Sequence, residues 1–317
     1  MDRPLCLIVN PAAGNGRARA LLPRATSALA AIGAEHQVTE SASLGHARDL
    51  AAAAAERGDV VVAVGGDGMV GALAGVAAAA GASYGLIPAG RGNDLAGVLG
   101  IPTDPEGAAR VLAGGVLRQV DLIGVGTPSQ PETVVVGSVY AGIPAVAGEI
   151  ANATHLLGGS LVYPVAALRA LARWRPVTFT VGIDGTDLSL EYLGYAVVVA
   201  NSPNFGAGMQ VAPPAVLDDG VLDVVLMRHA PKLVFVRALT KIKDGSHVAL
   251  PQISLLRGAD VTITMSRDVP AAADGEPLAC AAPLRAGTPL RIRALPAALS
   301  VLVPAGGHGS AGAASEE

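Results

Sequence analysis

The chain of 317 residues has few aromatic residues, few charges and only two cysteines. Aromatic residues make up 3% of it, so stacking platforms for nucleic-acid bases are not expected. The formal net charge of −4 argues further against a nucleic-acid partner held through phosphate contacts. Cys6 and Cys280 are too few for a disulfide framework, and Cys6 is expected to be a small buried residue of the first strand.

Long uninterrupted apolar runs are also missing. The longest candidate, residues 134–148, is broken by Gly137, Gly142 and Pro144, so no transmembrane helix is predicted. No basic and apolar leader precedes the first strand, and we expect a cytoplasmic protein. Because 51% of the residues are hydrophobic, the chain can still bury a large core, and its length allows two domains.

The first 126 residues alternate between strand and helix patterns. Such alternation predicts a doubly wound, parallel α/β sheet. We predict strands at 5–9, 35–39, 60–64, 84–87 and 117–123. We predict helices at 17–32, 46–57, 70–80, from Asp94, and at 105–113.

Strand patterns dominate from residue 127 onward, which predicts an antiparallel β-sandwich. The predicted strands are 134–139, 177–183, 188–200, 210–211, 222–227, 253–256, 260–265 and 290–292. Two helices are predicted at 161–174 and 231–243. The tail, 305–317, is rich in Gly, Ala, Ser and Glu and is predicted to be disordered.

The predicted strand 60–64 runs directly into Gly65-Gly66-Asp67-Gly68. Because glycine has no Cβ, the backbone N–H groups of such a turn can approach a phosphate closely. A carboxylate in this cradle would repel phosphate unless a cation lay between them, so the turn favours a magnesium-bound nucleotide. The alternative is that Asp67 caps a helix that begins near Met69.

Two more glycine-rich turns follow predicted strands. Residues 10–16 read Asn-Pro-Ala-Ala-Gly-Asn-Gly, and residues 88–94 read Pro-Ala-Gly-Arg-Gly-Asn-Asp. In an open α/β sheet, turns of this kind gather at the carboxyl ends of the strands, where ligands bind. Three such turns at one edge predict a mononucleotide site.

Together with two motifs downstream, these turns resemble the diacylglycerol kinase/sphingosine kinase superfamily, and above all its bacterial soluble lipid kinases. The resemblance covers about residues 5–304. Its motifs are Asn10-Pro-x-x-Gly14, Gly65-Gly-Asp-Gly68, Pro88-x-Gly90-x-x-Asn93-Asp94, Leu217-Asp-Asp-Gly220 and Asp274-Gly-Glu276. It implies a nucleotide-binding α/β domain over 1–126, a β-sandwich lipid-substrate domain over 127–293, and a return of 294–304 to the first domain.

The resemblance implies a kinase that uses ATP and Mg²⁺ to phosphorylate the hydroxyl of a membrane lipid such as diacylglycerol or a sphingoid base. Asp67 would hold Mg²⁺, and Glu276 would take the hydroxyl proton as general base. The positions implied to contact ATP are Asn10, Pro11, Ala12, Ala13, Gly14, Thr39, Gly65, Gly66, Gly68, Met69, Gly90, Arg91 and Asn93.

The same resemblance implies a structural Mg²⁺ held by the Asp219 carboxylate and the carbonyls of Val216 and Val221. It also implies electrostatic coupling between Asp121 and Asp67. Local sequence leaves other interpretations open. Residues 274–276 can also be interpreted as a hairpin tip, residues 217–220 as a plain turn, and Asp121 as a capping residue at a hinge.

This chain departs from the family pattern at three positions. Asn15 replaces a lysine, while Met69 and Arg91 replace threonines common in relatives. Arg91 would either pair with a phosphate or point into solvent. The segment 137–150 is unusually rich in small residues, which would suit a distinct lipid entrance.

Two rival functions remain open at this stage: an NAD kinase-like enzyme and a non-catalytic lipid-binding relative. The expected partners are ATP and a membrane lipid at the inner membrane surface, and a homodimer is left open. Arg169, Arg173 and Arg175 surround Trp174. This group would either contact anionic lipid headgroups or form a solvated helix face, and the sequence favours the solvated face.

Overall fold

The computed structural model describes residues 3–153, 162–185, 189–206, 208–278 and 283–306. The chain forms two compact units. The first comprises Met1–Val120 and Leu299–Glu317, and the second comprises Asp121–Ala298. The resemblance implied boundaries after residues 126 and 293.

The first unit is built on a parallel sheet. Its strands follow the order β2-β1-β3-β4, and the last residues of β15 pair with β4. All residues of β1, β3 and β4 are buried, which is why each is an almost uninterrupted apolar run. The strands are β1 (Leu5–Val9), β2 (His36–Glu40), β3 (Val60–Gly65), β4 (Ser83–Pro88) and β15 (Leu290–Val303).

Five helices connect these strands: α1 (Ala13–Ile32), α2 (Leu44–Arg57), α3 (Asp67–Ala80), α4 (Asp94–Val98) and α5 (Pro105–Gly114). Local sequence sets their ends. Ser43 caps α2 and Asp104 caps α5 by accepting backbone N–H groups, and Pro105 opens α5. Gly33, Gly58 and Gly81 end the first three helices in the left-handed conformation. The predicted α/β fold class is therefore confirmed.

The predicted strand 117–123 is present and pairs with β15, but it also has an antiparallel neighbour, which an all-parallel sheet did not predict. The strand β5 (Val116–Thr127) pairs antiparallel with β6 (Gln130–Val135), with Ile123 opposite Val135. Only two residues separate the two strands, and so short a connection joins antiparallel neighbours rather than parallel ones.

The second unit is mainly antiparallel, as predicted. Its strands follow the order β14-β13-β7-β9-β8-β12-β15, and β10 pairs with both β9 and β11. Stacking of Phe179 on Tyr192 at 5.4 Å is one of the contacts in its apolar core. The strands are β7 (Ser138–Gly142), β8 (Val177–Ile183), β9 (Ser189–Ala200), β10 (Leu222–Arg228), β11 (Ile253–Gly258), β12 (Asp260–Met265), β13 (Ala271–Ala273) and β14 (Glu276–Pro277).

Several expectations for the second unit were wrong. The predicted strand 134–139 is interrupted, because β6 ends at Val135 and the next backbone N–H groups bind the carboxylate of Asp274. Residues 210–211 do not form a named strand; Gln210 makes an isolated bridge to Asn204. Within the segment 137–150, a helix that was not predicted begins at Ile143, and it runs to Ala153 as α6.

The remaining helices agree more closely with the sequence. They are α7 (Val162–Arg173) and α8 (Lys232–Lys241), with a 3₁₀ turn at Ser246–Ala249. Residue 161, residue 188, Cys280 and the tail from 307 onward lie outside the described residues. Cys6 is buried, and burial raises the pKa of its thiol. In the parts of the chain that the structure describes, each helix is too short or too polar to cross a bilayer.

The junction after α5 provides a test of the first unit. A Cβ on Gly115 would lie 2.5 Å from the carbonyl oxygens of both Val111 and Val303, whereas a Cβ on Gly114 would meet nothing within 4 Å. We expect Gly115→Ala to lower the free energy of unfolding by about 1–3 kcal/mol, because backbone must move. Gly114→Ala, the matched control, should change it by no more than about 1 kcal/mol. Equal denaturation midpoints for the Gly115→Ala and Gly114→Ala variants would contradict this packing.

Candidate active site

The turn after β1 is tightly folded. Asn10 closes it, because its side-chain oxygen accepts the N–H of Ala12 at 3.1 Å and its carbonyl accepts that of Ala13 at 3.1 Å. Gly14, Asn15 and Gly16 follow with φ values of 60°, 58° and 88°. This left-handed stretch explains why the regular helix pattern begins only at residue 17.

All three glycine turns of the first unit lie together. A Cβ on Gly14 would lie 2.3 Å from the carbonyl oxygen of Ala89 in the third turn. A Cβ on Gly90 would lie 2.6 Å from the Cα of Gly66 in the second turn. Backbone approaches backbone at both points, so no other residue fits there without movement.

Asp67 fastens the second turn to the third. Its carboxylate accepts the backbone N–H groups of Asn93 at 3.0 Å and Asp94 at 2.8 Å. The interpretation of Asp67 as the cap of a helix near Met69 was wrong, because α3 begins at Asp67 itself and Gly66 is its N-cap. Hydrogen bonds from backbone N–H to a carboxylate are stronger than those between neutral groups.

Asn93 closes the third turn on itself. It adopts a left-handed φ of 55°, its side-chain oxygen accepts the N–H of Gly90 at 2.8 Å, and its amide donates to the carbonyl of Gly90 at 3.2 Å. Asp67 and Asn93 thus hold the turn from both sides. The sequence predicted that Asn93 contacts the nucleotide, but it did not predict this structural role. The only local signal for that role was an asparagine beside glycines.

The residues of this edge fit a nucleotide with its magnesium ion. Each carboxylate oxygen of Asp67 accepts one N–H and has a further lone pair for Mg²⁺ or a magnesium-bound water. Pro11, Ala12 and Ala13 lie in the first turn, and Gly68 is exposed in the first turn of α3. Thr39 lies on β2 opposite Ile8.

Two of the residues predicted to contact the nucleotide, Arg91 and Met69, differ in their exposure to solvent. Arg91 is exposed and makes no ion pair within the described residues, so its guanidinium is available to a phosphate. Met69 is 4% exposed, and its sulfur packs where a Cβ on Gly65 would lie, 2.9 Å away. Its side chain therefore belongs to the core, and contact of residue 69 with ATP stays a prediction.

Glu276 lies in the second unit, directly after a two-residue hairpin turn between β13 and β14. Asp274 and Gly275 form that turn with φ values of 45° and 89°. The hairpin-tip interpretation of these residues describes the backbone correctly. It does not compete with a catalytic role, because the turn presents the exposed side chain of Glu276.

Asp274 anchors this turn. Its carboxylate accepts the backbone N–H groups of Val136 at 2.9 Å, Gly137 at 3.0 Å and Ser138 at 2.8 Å. The N–H of Gly275 donates to the phenol oxygen of Tyr140 at 3.0 Å, and burial raises the pKa of that phenol. No local sequence pattern predicted these bonds of Asp274, because an Asp-Gly pair is common in hairpins for conformational reasons alone.

The turn 217–220 is held within the second unit by Asp121. The two carboxylate oxygens of Asp121 accept the N–H groups of Gly220 at 2.6 Å and Ala297 at 2.7 Å. Its own N–H donates to the carbonyl of Leu217 at 2.6 Å. These bonds give Asp121 the capping role that was one of its two interpretations, and its coupling to Asp67 stays a prediction.

Arg257 engages the carboxylate that was predicted to hold a structural Mg²⁺. It pairs with Asp219, and its Nε lies 3.4 Å from the carboxylate of Asp223, which is 1% exposed. Burial raises the pKa of Asp223, and the charge of Arg257 opposes that rise. Among the described residues no cluster of three or more acidic, His or Cys ligands is present.

A divalent cation at Asp219 does not fit this arrangement unless Arg257 moves away. The Asp219 carboxylate already balances one positive charge and also accepts the N–H of Val221 at 3.1 Å. The predicted metal site of Val216, Asp219 and Val221 stays a prediction.

Comparison with known proteins agrees with the division of the chain into two units. Residues 4–125 match the family "Diacylglycerol kinase catalytic domain", and residues 137–303 match the "YegS C-terminal NAD kinase beta sandwich-like domain". The diacylglycerol kinase of Mycobacterium tuberculosis is 32% identical over 304 residues, which is 94% of both chains. That of Bacillus subtilis is 27% identical over 281 residues, 85% of this chain and 88% of the relative.

A crystal structure of a diacylglycerol kinase from Bacillus anthracis superposes with a TM-score of 0.71 at 19% identity, covering 95% of this chain and 97% of that one. This likeness shows the fold. The sequence matches identify the class of enzyme as a lipid kinase. The chain belongs to the diacylglycerol kinase/sphingosine kinase superfamily.

Replacing Asp67 tests the fastening of the turns. In Asp67→Ala, two N–H groups lose their acceptor, so we expect the free energy of unfolding to fall by about 1–3 kcal/mol. Affinity for Mg-ATP should fall and transfer should be lost, while the chain stays folded. Calorimetry and denaturant titration measure these changes. Asp49→Ala, at an exposed position of α2, is the control, and wild-type turnover in Asp67→Ala would sink the assignment.

Replacing Arg257 tests which cation balances the acidic turn. In Arg257→Gln, Asp219 and Asp223 lose their shared positive charge, so Mg²⁺ should raise the melting temperature of this variant measurably. Mg²⁺ without nucleotide should leave wild type and the exposed control Arg291→Gln nearly unchanged. If Mg²⁺ stabilises all three proteins equally, Arg257 does not stand in for a metal.

Proposed function

We propose that this lipid kinase transfers the γ-phosphoryl group of ATP to the hydroxyl of a membrane lipid such as diacylglycerol or a sphingoid base, with Glu276 as general base. One observation carries the choice of acceptor. It is an apolar pocket inside the second unit whose lining includes Gly275, the residue immediately before Glu276.

The pocket suits a hydrocarbon chain. Helices α6, α7 and α8 contribute to its walls, and most of the side chains that line it are apolar. Among them are Ile143, Ala167, Phe205, Phe235 and Leu239. Burying apolar surface here is favourable by about 25 cal/mol per Å². A lipid chain held in this pocket would bring its head group to the turn that presents Glu276.

This lining distinguishes the proposal from an NAD kinase-like enzyme. NAD is polar and charged, and it would need hydrogen-bonding partners that an apolar pocket does not offer. The non-catalytic alternative rested on Asn15 and Met69. Met69 is accommodated in the core, and the bonds of Asp67 and Asp274 that hold the two catalytic turns are intact. These features support turnover.

In the proposed phosphoryl transfer, the glycine turns, Asp67 and Glu276 have different roles. The glycine turns offer N–H donors to the phosphates, and Asp67 keeps two of those turns in register. Bound Mg²⁺ would neutralise phosphate charge. As the lipid hydroxyl oxygen bonds to the γ-phosphorus and the bond to the ADP oxygen breaks, Glu276 takes the hydroxyl proton. The side chain of Glu276 makes no hydrogen bond or ion pair with another described residue, so its carboxylate oxygens are free to accept the proton.

The sharpest test of Glu276 is its replacement by glutamine. The amide cannot take a proton, so we expect turnover to fall by roughly 10²–10⁴ with near-normal ATP affinity. The melting temperature should not change, because the side chain of Glu276 has no hydrogen bond or ion pair to lose within the described residues. Glu191→Gln, an exposed change in the same unit, is the control.

Rates measured at saturating ATP and lipid, with calorimetry of ATP binding, separate the outcomes. Turnover of the Glu276→Gln variant close to that of the control would remove the base from this position. Loss of ATP affinity together with turnover would assign Glu276 to nucleotide binding instead.

A further inference from the structure

Four arginines surround a second, open pocket in the second unit, at the C-terminal end of α7. The pocket has a volume of about 490 Å³. The arginines that line it come from α7, from the residues after α7 and from the bend that follows β12. They are Arg169, Arg173, Arg175 and Arg267, and Trp174 lies among them.

These positive charges are not balanced by the protein. None of the four arginines forms an ion pair with a carboxylate in the described ranges, although the chain as a whole carries a net charge of −4. The nearest acidic neighbour in sequence, Asp268, is engaged by the side chain of Arg285 and by the N–H of Ala286. Like charges brought together without a counter-ion repel one another, so the cluster favours an anionic ligand.

The pocket is also apolar in its interior. Val146, Ile150 and Ala170 line it with Trp174. The guanidinium of Arg267 lies 4.8 Å from the centre of the Trp174 ring and donates to the carbonyl of Arg175 at 2.7 Å. An ordinary solvated helix face would not combine a pocket lined by apolar side chains with four guanidinium groups that form no ion pair among the described residues.

Exposed apolar side chains lie on the two helices at this end of the unit. Leu168, on α7, is 44% exposed, and Leu233, on α8, is 73% exposed. The neighbour of Leu233, Lys232, donates to the carbonyl of Ala172 at 2.8 Å, which brings α8 to the end of α7. Leucine side chains flanked by basic residues are typical of surfaces that lie at a bilayer interface.

We propose that this arginine pocket binds the phosphate of an anionic phospholipid and thereby docks the protein on an anionic bilayer. Guanidinium groups match phosphate oxygens in bidentate geometry, and the exposed leucines favour a lipid over free phosphate. The pocket is separate from the apolar pocket next to Glu276, so docking would not compete with substrate. The inference stands independently of the phosphoryl-transfer chemistry.

The sole tryptophan of the chain, Trp174, reports directly on this pocket. The wild-type protein, without nucleotide, is titrated with vesicles of phosphatidylcholine alone or mixed with phosphatidylglycerol, and with inorganic phosphate in a third arm. Trp174 emission and co-sedimentation are measured. We expect binding to the mixed vesicles, weakening with salt, and little binding to the neutral ones.

The double variant Arg169→Gln/Arg173→Gln should bind mixed vesicles roughly 10- to 30-fold more weakly. Arg48→Gln/Arg291→Gln removes the same charge elsewhere and should bind like wild type. Arg169→Lys/Arg173→Lys keeps the charge and should retain most of the binding. Melting temperatures identify any variant that fails to fold, in which case the lysine variant and the salt dependence of wild type decide the question.

Three results would overturn docking: equal loss in the control double variant, equal binding to neutral vesicles, or a response to inorganic phosphate without vesicle binding. Turnover on a lipid dispersed in detergent separates this inference from the kinase proposal. The double variant should keep wild-type turnover there. If no lipid is phosphorylated but mixed vesicles still bind through these arginines, only the proposed function fails.

Discussion

The bond between a carboxylate and the backbone N–H groups of a distant turn is the interaction on which both candidate catalytic turns depend. Asp67 binds the N–H groups of Asn93 and Asp94 in the first unit, and Asp274 binds those of residues 136–138 in the second. Such bonds combine a full charge with donors that would otherwise lack a partner. Each turn is therefore held in place by the carboxylate of its own aspartate, and the side chain of Glu276 is not needed to hold its turn.

Because the glycine backbones approach one another closely, the candidate nucleotide site is compact and can be predicted from the sequence. Gly14 lies against Ala89, and Gly66 lies against Gly90, with no room for a Cβ at either contact. Because the geometry requires glycine, it leaves a motif in the chain. The lipid side has no such requirement: its pocket needs only apolar side chains of suitable size, which many sequences supply. Nucleotide motifs are consequently more informative than lipid-binding ones.

The periodicity of apolar residues predicted those strands whose burial is uniform or alternates regularly along the strand. The strands at 5–9, 177–183 and 260–265 match their observed bounds, since each is buried throughout or alternates regularly. Long-range bonds escaped prediction. The donors to Asp274 lie 136 to 138 residues away in the chain, and Arg257 lies 38 residues from Asp219. No periodicity encodes such partners, so the break in the predicted strand 134–139 and the competitor for the predicted metal site were both missed.

The most direct measurement of the central claim is transfer of labelled γ-phosphate from ATP to defined acceptors. Diacylglycerol and a sphingoid base in mixed micelles, and NAD in solution, are offered separately with Mg²⁺. The account predicts a labelled lipid formed in step with ADP, and no labelled NAD product. Labelled NADP with unlabelled lipid, or label recovered only as inorganic phosphate with every acceptor, would contradict it.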